Sequence, residues 1–98
     1  MRIEGSSFVE ADLDAIASSI AQDNPRRALS FIRQMREEIL GLSRSPLRFQ
    51  LRTELEGDAR MARVGRYGIL FRIHEDAVRV ERVVYLTEDL RALFQQEE

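Results

Sequence analysis

No cysteine occurs in the 98 residues of the chain. That excludes a disulfide framework, a thiolate zinc site and a cysteine nucleophile, and is compatible with a reducing compartment. Lysine is missing as well, so all 15 basic residues are arginine. The chain therefore has no Schiff-base amine, no lysine of lowered pKa and no P-loop cation. One histidine, His74, stands alone. No stretch approaches the roughly 20 apolar residues of a membrane span. The N-terminus, Met1-Arg2-Ile3-Glu4-Gly5, places an acid where a signal peptide needs an apolar run. Internal repeats, low-complexity tracts and Gly/Ser linkers are lacking, so residues 1–98 read as one domain, soluble and cytoplasmic. A globule of this size buries about 65% of the surface of its unfolded chain, enough for one core. A TIM barrel, or a Rossmann domain with a substrate domain, does not fit.

The charges present are unevenly placed. Residues 1–43 hold five arginines against seven acids, or −2. Residues 44–74 hold seven arginines against Glu54, Glu56 and Asp58, or +4. Residues 75–98 hold three arginines against seven acids, or −4, which completes the formal net charge of −2. An acidic chain with a basic middle can present a basic face. The simpler reading is a solvated strand face with interspersed ion pairs.

Hydrophobic spacing divides the chain into elements. Residues 2–5 read as a short extended segment. Ser7 with Glu10 matches the S-x-x-E capping box, and Leu13, Ile16, Ala17 and Ile20 repeat at helical spacing, predicting a helix from about Phe8 to Gln22. Asp23-Asn24-Pro25 stops it and starts a second, with Asn24 as cap and Pro25 at the first helical position. The second stripe is Ala28, Ile32, Met35, Ile39 and Leu42, ending near Gly41–Ser43 before Ser45-Pro46. So short a turn makes the two a helical hairpin. After a loop over 44–58 the period becomes two. A weak strand covers Ala59 to Val64. Tyr67, Ile69, Phe71 and Ile73 alternate with Gly68, Leu70, Arg72 and His74. Val78, Val80, Arg82 and Val84 alternate with Arg79, Glu81, Val83 and Tyr85, after a Glu75-Asp76 turn. Thr87-Glu88-Asp89 can cap a short C-terminal helix bearing Leu90, Leu93 and Phe94. The predicted class is α+β, ordered β-α-α-β-β-β, with an antiparallel sheet against the N-terminal helical hairpin.

Several stretches carry a resemblance. They are Glu10-Ala11-Asp12-Leu13-Asp14-Ala15-Ile16, Ile20-Ala21-Gln22-Asp23-Asn24-Pro25, and Arg63-Val64-Gly65-Arg66-Tyr67-Gly68-Ile69-Leu70-Phe71-Arg72-Ile73. The last is Val80-Glu81-Arg82-Val83-Val84-Tyr85. Together, from about Ile3 to Leu93, the chain resembles the ParE/RelE superfamily of toxins from bacterial type II toxin–antitoxin systems. The resemblance implies the same fold and one of two activities. ParE-like members poison DNA gyrase by protein contact and catalyse nothing. RelE-like members cleave mRNA in the ribosomal A site with basic residues.

If the activity is a ribonuclease, its residues are Arg63, Arg66, Arg72, Arg82 and Tyr85, the arginines acting as phosphate clamps. Arginine stays protonated and makes a poor general base. The late basic position of RelE-like members is occupied here by Leu86-Thr87-Glu88-Asp89, and the terminal aromatic position falls at Phe94, which has no proton to donate. The Asn24-Pro25 junction, the V-G-x-Y pair and Asp89-Leu90 resemble ParE more closely. The expectation is thus a gyrase inhibitor without catalytic residues, with Arg60, Arg63, Arg66, Arg82 and Tyr85 as target-contact candidates. The alternatives are a ribosome-dependent endoribonuclease and a non-toxic member that only binds its antitoxin. A cognate, ParD-like antitoxin is the implied partner, in a possible higher-order hetero-oligomer. Phe31, Met35, Leu40, Leu90, Leu93 and Phe94 are the candidates to meet it.

No metal or cofactor is expected: no His/Cys/Asp cluster has ligand spacing, and no G-x-G-x-x-G or Walker sequence occurs. No helix bears a basic stripe suited to the DNA major groove.

Overall fold

A computed structural model describes residues 1–55 and 57–86. Strand β1 covers Arg2–Gly5, helices α1 and α2 cover Val9–Ala21 and Pro25–Gly41, and a single 3₁₀ turn follows at Pro46–Arg48. Strands β2, β3 and β4 cover Arg60–Val64, Tyr67–His74 and Ala77–Tyr85. The expected C-terminal helix lies outside the described residues.

Asn24 starts α2 as its type predicts, its Oδ1 accepting from Arg27 N at 3.1 Å with Pro25 in the first turn. The Ser7–Glu10 capping box does not form. Phe8 occupies the cap position of α1 without a side-chain cap bond. Glu10 is instead held by Arg36 of α2 through two bonds of 2.9 Å. Ser6 supplies the local bonding, its Oγ accepting from Phe8 N and donating to the Glu81 carbonyl. The more favourable partner for a carboxylate here is a bidentate guanidinium rather than its own backbone.

The sheet order is β1-β4-β3-β2. The β4-β3-β2 meander is antiparallel, as the short turns require, but β1 runs parallel to β4, Arg2 to Gly5 facing Ala77 to Val80. The sheet is therefore mixed. The helical hairpin between β1 and the meander supplies the long crossover that a parallel neighbour needs.

Both helical stripes bury on one face of the sheet. Leu13, Ile16, Phe31, Met35 and Ile39 pack with Ala62, Val64, Ile69, Phe71, Val78, Val80 and Val83. The other face has a smaller cluster of Leu55, Ala59 and Leu70, with Met61 and Val84 against it. The 44–58 connection is what supplies Leu55, and it also pairs Leu51 with Arg60. Gly68 is required on this face: a Cβ there would lie 2.7 Å from Met61 Sδ and 2.9 Å from Leu86 Cδ2.

Strict alternation fails in β4. Leu70 faces Arg82 while Phe71 faces Val80, so Glu81 is an extra residue, a β-bulge. The bulge reverses the phase of the strand. Val78 and Val80 face the helices before it, and Val83 does so after it, where period two would have placed Val84. Beside that smaller cluster the outer face carries a chain of ion pairs. Arg2 meets Glu4 at 3.4 Å and Asp76 at 3.0 Å, and Arg79 meets Glu4 at 3.8 Å and Glu81 at 3.5 Å. Arg72 then meets Glu81 at 3.8 Å and Asp58 at 2.8 Å.

Candidate functional site

The candidate residues separate according to what already holds them. Asp12, in the first turn of α1, grips Arg82 with both oxygens at 2.9 Å. Its Oδ2 also accepts from the Val83 amide at 3.0 Å. This happens where β1 has ended, so a side-chain carboxylate takes the place of a neighbouring strand on the β4 edge. The ring of Phe8 lies 4.9 Å from the Arg82 guanidinium on another side. Arg82 is thus built into the junction of α1 and β4. Asp12 was legible only as an acid off the apolar stripe, because its partner is 70 residues away.

Arg72 belongs to the outer-face ion pairs; the hydrogen bond from its guanidinium, in turn, lowers the Asp58 pKa. Arg60 is tied to the Phe49 carbonyl and so anchors the 44–58 connection. The proposed set Arg63, Arg66, Arg72 and Arg82 is therefore not gathered on one surface. Two of its members are engaged by carboxylates.

Arg66 and Tyr85 come together at the β2–β3 turn; Arg63, whose strand neighbours Ala62 and Val64 face the helices, reaches the same turn from the outer face of the sheet. Gly65 turns the chain with φ of +60°, a conformation that glycine adopts without the Cβ penalty. The Gly65 site lies against α2, within 3.7 Å of Phe31 Cε1 for an added Cβ. Arg63 donates to the Gly65 carbonyl at 3.2 Å, and Arg66 approaches the Tyr85 hydroxyl at 3.5 Å. The hydrogen bond with the Tyr85 hydroxyl raises the Arg66 pKa. Tyr67 meets Tyr85 edge to face at 5.4 Å, and Phe31 meets Tyr67 at 5.4 Å. Arg27 closes the row, 5.1 Å over the Phe31 ring. Tyr85 is 47% exposed, as β4 register places it at the end of the sheet opposite Tyr67. Sequence reasoning does not reach Arg27, which lies on another element far from Arg66 in the chain, and it reads Tyr67, the neighbour of Arg66, only as an inward residue of the β3 alternation. A shallow cleft between Asp12, Ile16 and Ser19 of α1 and Tyr67, Val83 and Tyr85 of the sheet adjoins this row.

The apolar candidates divide differently. Met35 is fully buried and Phe31 nearly so, which makes both core residues rather than open contact surface. Leu40 is 64% exposed at the mouth of a groove formed with Ile3, Val9, Leu13 and Ile39. The Glu10–Arg36 pair sits at that groove, and Arg36 lowers the Glu10 pKa through its hydrogen bonds. Leu90, Leu93 and Phe94 lie outside the described residues. Among the described residues no helix is long and apolar enough to cross a membrane.

Comparison with known proteins now places the chain in a class, the toxin components of type II toxin–antitoxin systems. Residues 6–90 match the family described as "ParE toxin of type II toxin-antitoxin system, parDE". The chain belongs to this ParE toxin family. Among solved structures it is similar to a chain described as "Chromosomal ParDE TA system from P. aeruginosa", at 19% identity and a TM-score of 0.78. That likeness covers 89% of this chain and 97% of the other, and shows that the two share a fold. No curated protein matches the sequence.

Proposed function

We propose that the protein is a gyrase poison that acts by contact, without chemistry of its own, and is neutralised by a cognate antitoxin. The observation that carries this reading is membership of the ParE family across residues 6–90. The state of the arginines supports it. Ribonuclease action would need several cations around one phosphate, together with a proton acceptor. Asp12 and Asp58 bind Arg82 and Arg72 instead, and arginine does not accept a proton. The target-contact surface in this reading is Arg63, Arg66 and Tyr85; Arg82 holds the α1–β4 junction, while Arg60, at the far end of β2, anchors the 44–58 connection. The antitoxin surface is the groove around Leu40, a large apolar side chain that is exposed at its mouth. The groove is the counterpart of an amphipathic partner segment.

The test is purified protein added to gyrase, ATP and relaxed plasmid. Lost supercoiling with accumulation of linear DNA at near-stoichiometric protein is the expected result. Arg66→Ala and Tyr85→Ala are expected to weaken it without unfolding the domain. Folded protein that leaves supercoiling intact would refute the gyrase assignment; mRNA cleavage on ribosomes would then be the assay to run.

A further inference from the structure

We propose that the end of the domain formed by Arg63, Arg66, Tyr67 and Tyr85, with Arg27 beside it, binds single-stranded DNA directly. On the gyrase reading above, on which this extension rests, the protein then meets the DNA held by the enzyme as well as the enzyme.

Charge placement makes the first argument. The chain is acidic overall, with a formal net charge of −2, so affinity for a polyanion must come from a local patch. On the outer face and at the α1–β4 junction, arginines are matched by carboxylates. At the β2–β3 turn they are not. The partners of Arg27, Arg63 and Arg66 are the Ser30 hydroxyl, the Gly65 carbonyl and the Tyr85 hydroxyl, with no carboxylate among the described residues. Neutral partners leave the positive charge for an outside anion. A guanidinium fork suits a phosphate better than a point charge does.

The aromatic row makes the second. Tyr85 is half exposed and fixed in orientation by its edge-to-face contact with Tyr67. Tyr67 is itself fixed against Phe31. A rigid exposed ring with Arg66 at its hydroxyl, and with Arg27 and Arg63 at the same end of the domain, is an arrangement on which an unstacked base rests while its phosphates meet the cations. An acidic peptide would satisfy the arginines but leave Tyr85 unused. A duplex offers no unstacked base, and no helix here offers a basic stripe for its groove.

Fluorescence anisotropy of a labelled twelve-residue thymidine oligonucleotide, without gyrase, tests the proposal. For about three phosphate contacts the slope of log K against log salt is about −2, so Kd rises about fourfold per doubling of salt. Arg63→Ala/Arg66→Ala should reduce that slope to about −0.7. Tyr85→Ala should weaken binding about tenfold while Tyr85→Phe retains it, because stacking and not the hydroxyl is at work. Arg79→Ala removes one arginine from the outer face, the same charge as the single variant Arg66→Gln, and should change Kd less than twofold. Circular dichroism confirms that each variant is folded, and the single variant Arg66→Gln repeats the test should the double one unfold. Absence of binding at low salt, equal loss in Arg79→Ala, or tighter binding of duplex DNA, single-stranded RNA or an acidic peptide would overturn the proposal. Oligonucleotide binding without gyrase inhibition would support it and refute the gyrase reading. Gyrase inhibition without oligonucleotide binding would do the reverse.

Discussion

Replacing Asp12 by alanine removes more than an ion pair. The carboxylate holds Arg82 through two bonds of 2.9 Å and the Val83 amide through one of 3.0 Å. Side-chain exposures of 12% for Asp12 and 31% for Arg82 place the pair between the surface and the core. A pair this exposed contributes only about 1 kcal/mol. The amide is a different matter. Val83 is 3% exposed, so losing its acceptor strands a donor, at about 1–3 kcal/mol. The sum is about 2–4 kcal/mol out of a total of about 5–15 kcal/mol for a domain of this length. Urea denaturation followed by circular dichroism should show it, along with a fall in Tm of about 8–30 °C. Asp12→Asn keeps an acceptor for Val83 and should cost less than half as much. Asp14→Ala, on the exposed side of the same helix, should stay within about 0.5 kcal/mol of wild type. A double-mutant cycle with Arg82→Ala isolates the ion pair, with coupling of about 1 kcal/mol. A cost below about 0.5 kcal/mol for Asp12→Ala would refute the edge-capping argument.

Three other outcomes follow from the same physics. Met35→Ala should lower the stability of the free protein by about 2–5 kcal/mol in urea denaturation, because Met35 is fully buried; loss confined to antitoxin binding would contradict its core position. Glu75 has φ of +55° in the β3–β4 turn, so Glu75→Gly should stabilise by about 0.5–1 kcal/mol, and a lower urea midpoint would refute the strain. Glu10 and Asp58 have lowered pKa values through Arg36 and Arg72, so their pairs stabilise fully above the ordinary carboxylate range; that stability is lost as pH falls through it towards the lowered native values. Urea midpoints from pH 7 to pH 3 should show the loss, and Glu10→Gln/Asp58→Asn should flatten it.

What the sequence displays is local order, and what it conceals is chemistry between distant residues. Asn24-Pro25 announces α2 because cap and proline act within one turn of the backbone. The β3 alternation is visible because its inward residues are all apolar. β4 misleads through a single residue: Glu81 has no local mark of a bulge, and only pairing with Leu70 and Phe71 reveals it. The parallel position of β1 is likewise invisible, since four residues carry no signal of direction. Ser7 and Glu10 match a motif whose glutamate found a stronger partner on α2. Of the candidate site, Arg63, Arg66 and Tyr85 could be named from the resemblance. Asp12, Arg27 and Tyr67 could not, because their roles depend on which helix lies over which strand end.

Counting arginines suggested a basic middle, yet the decisive property is the partner of each. Arg72 lies in that middle and is bound to Asp58 and Glu81, so it lends charge to nothing outside the fold. Arg82 lies beyond it, among acidic residues, and serves the α1–β4 junction. Arg27 lies before it, in an acidic N-terminal half, yet stands over Phe31 next to the β2–β3 turn. A patch assembled from residues 27, 63, 66 and 85 cannot be seen in any window of the sequence. It exists because Gly65 brings the turn against α2 and the β3–β4 register brings Tyr85 to Tyr67. Side-chain substitution in the patch should therefore alter binding with little effect on folding. Substitution of Gly65, which shapes the backbone beneath it, should alter both.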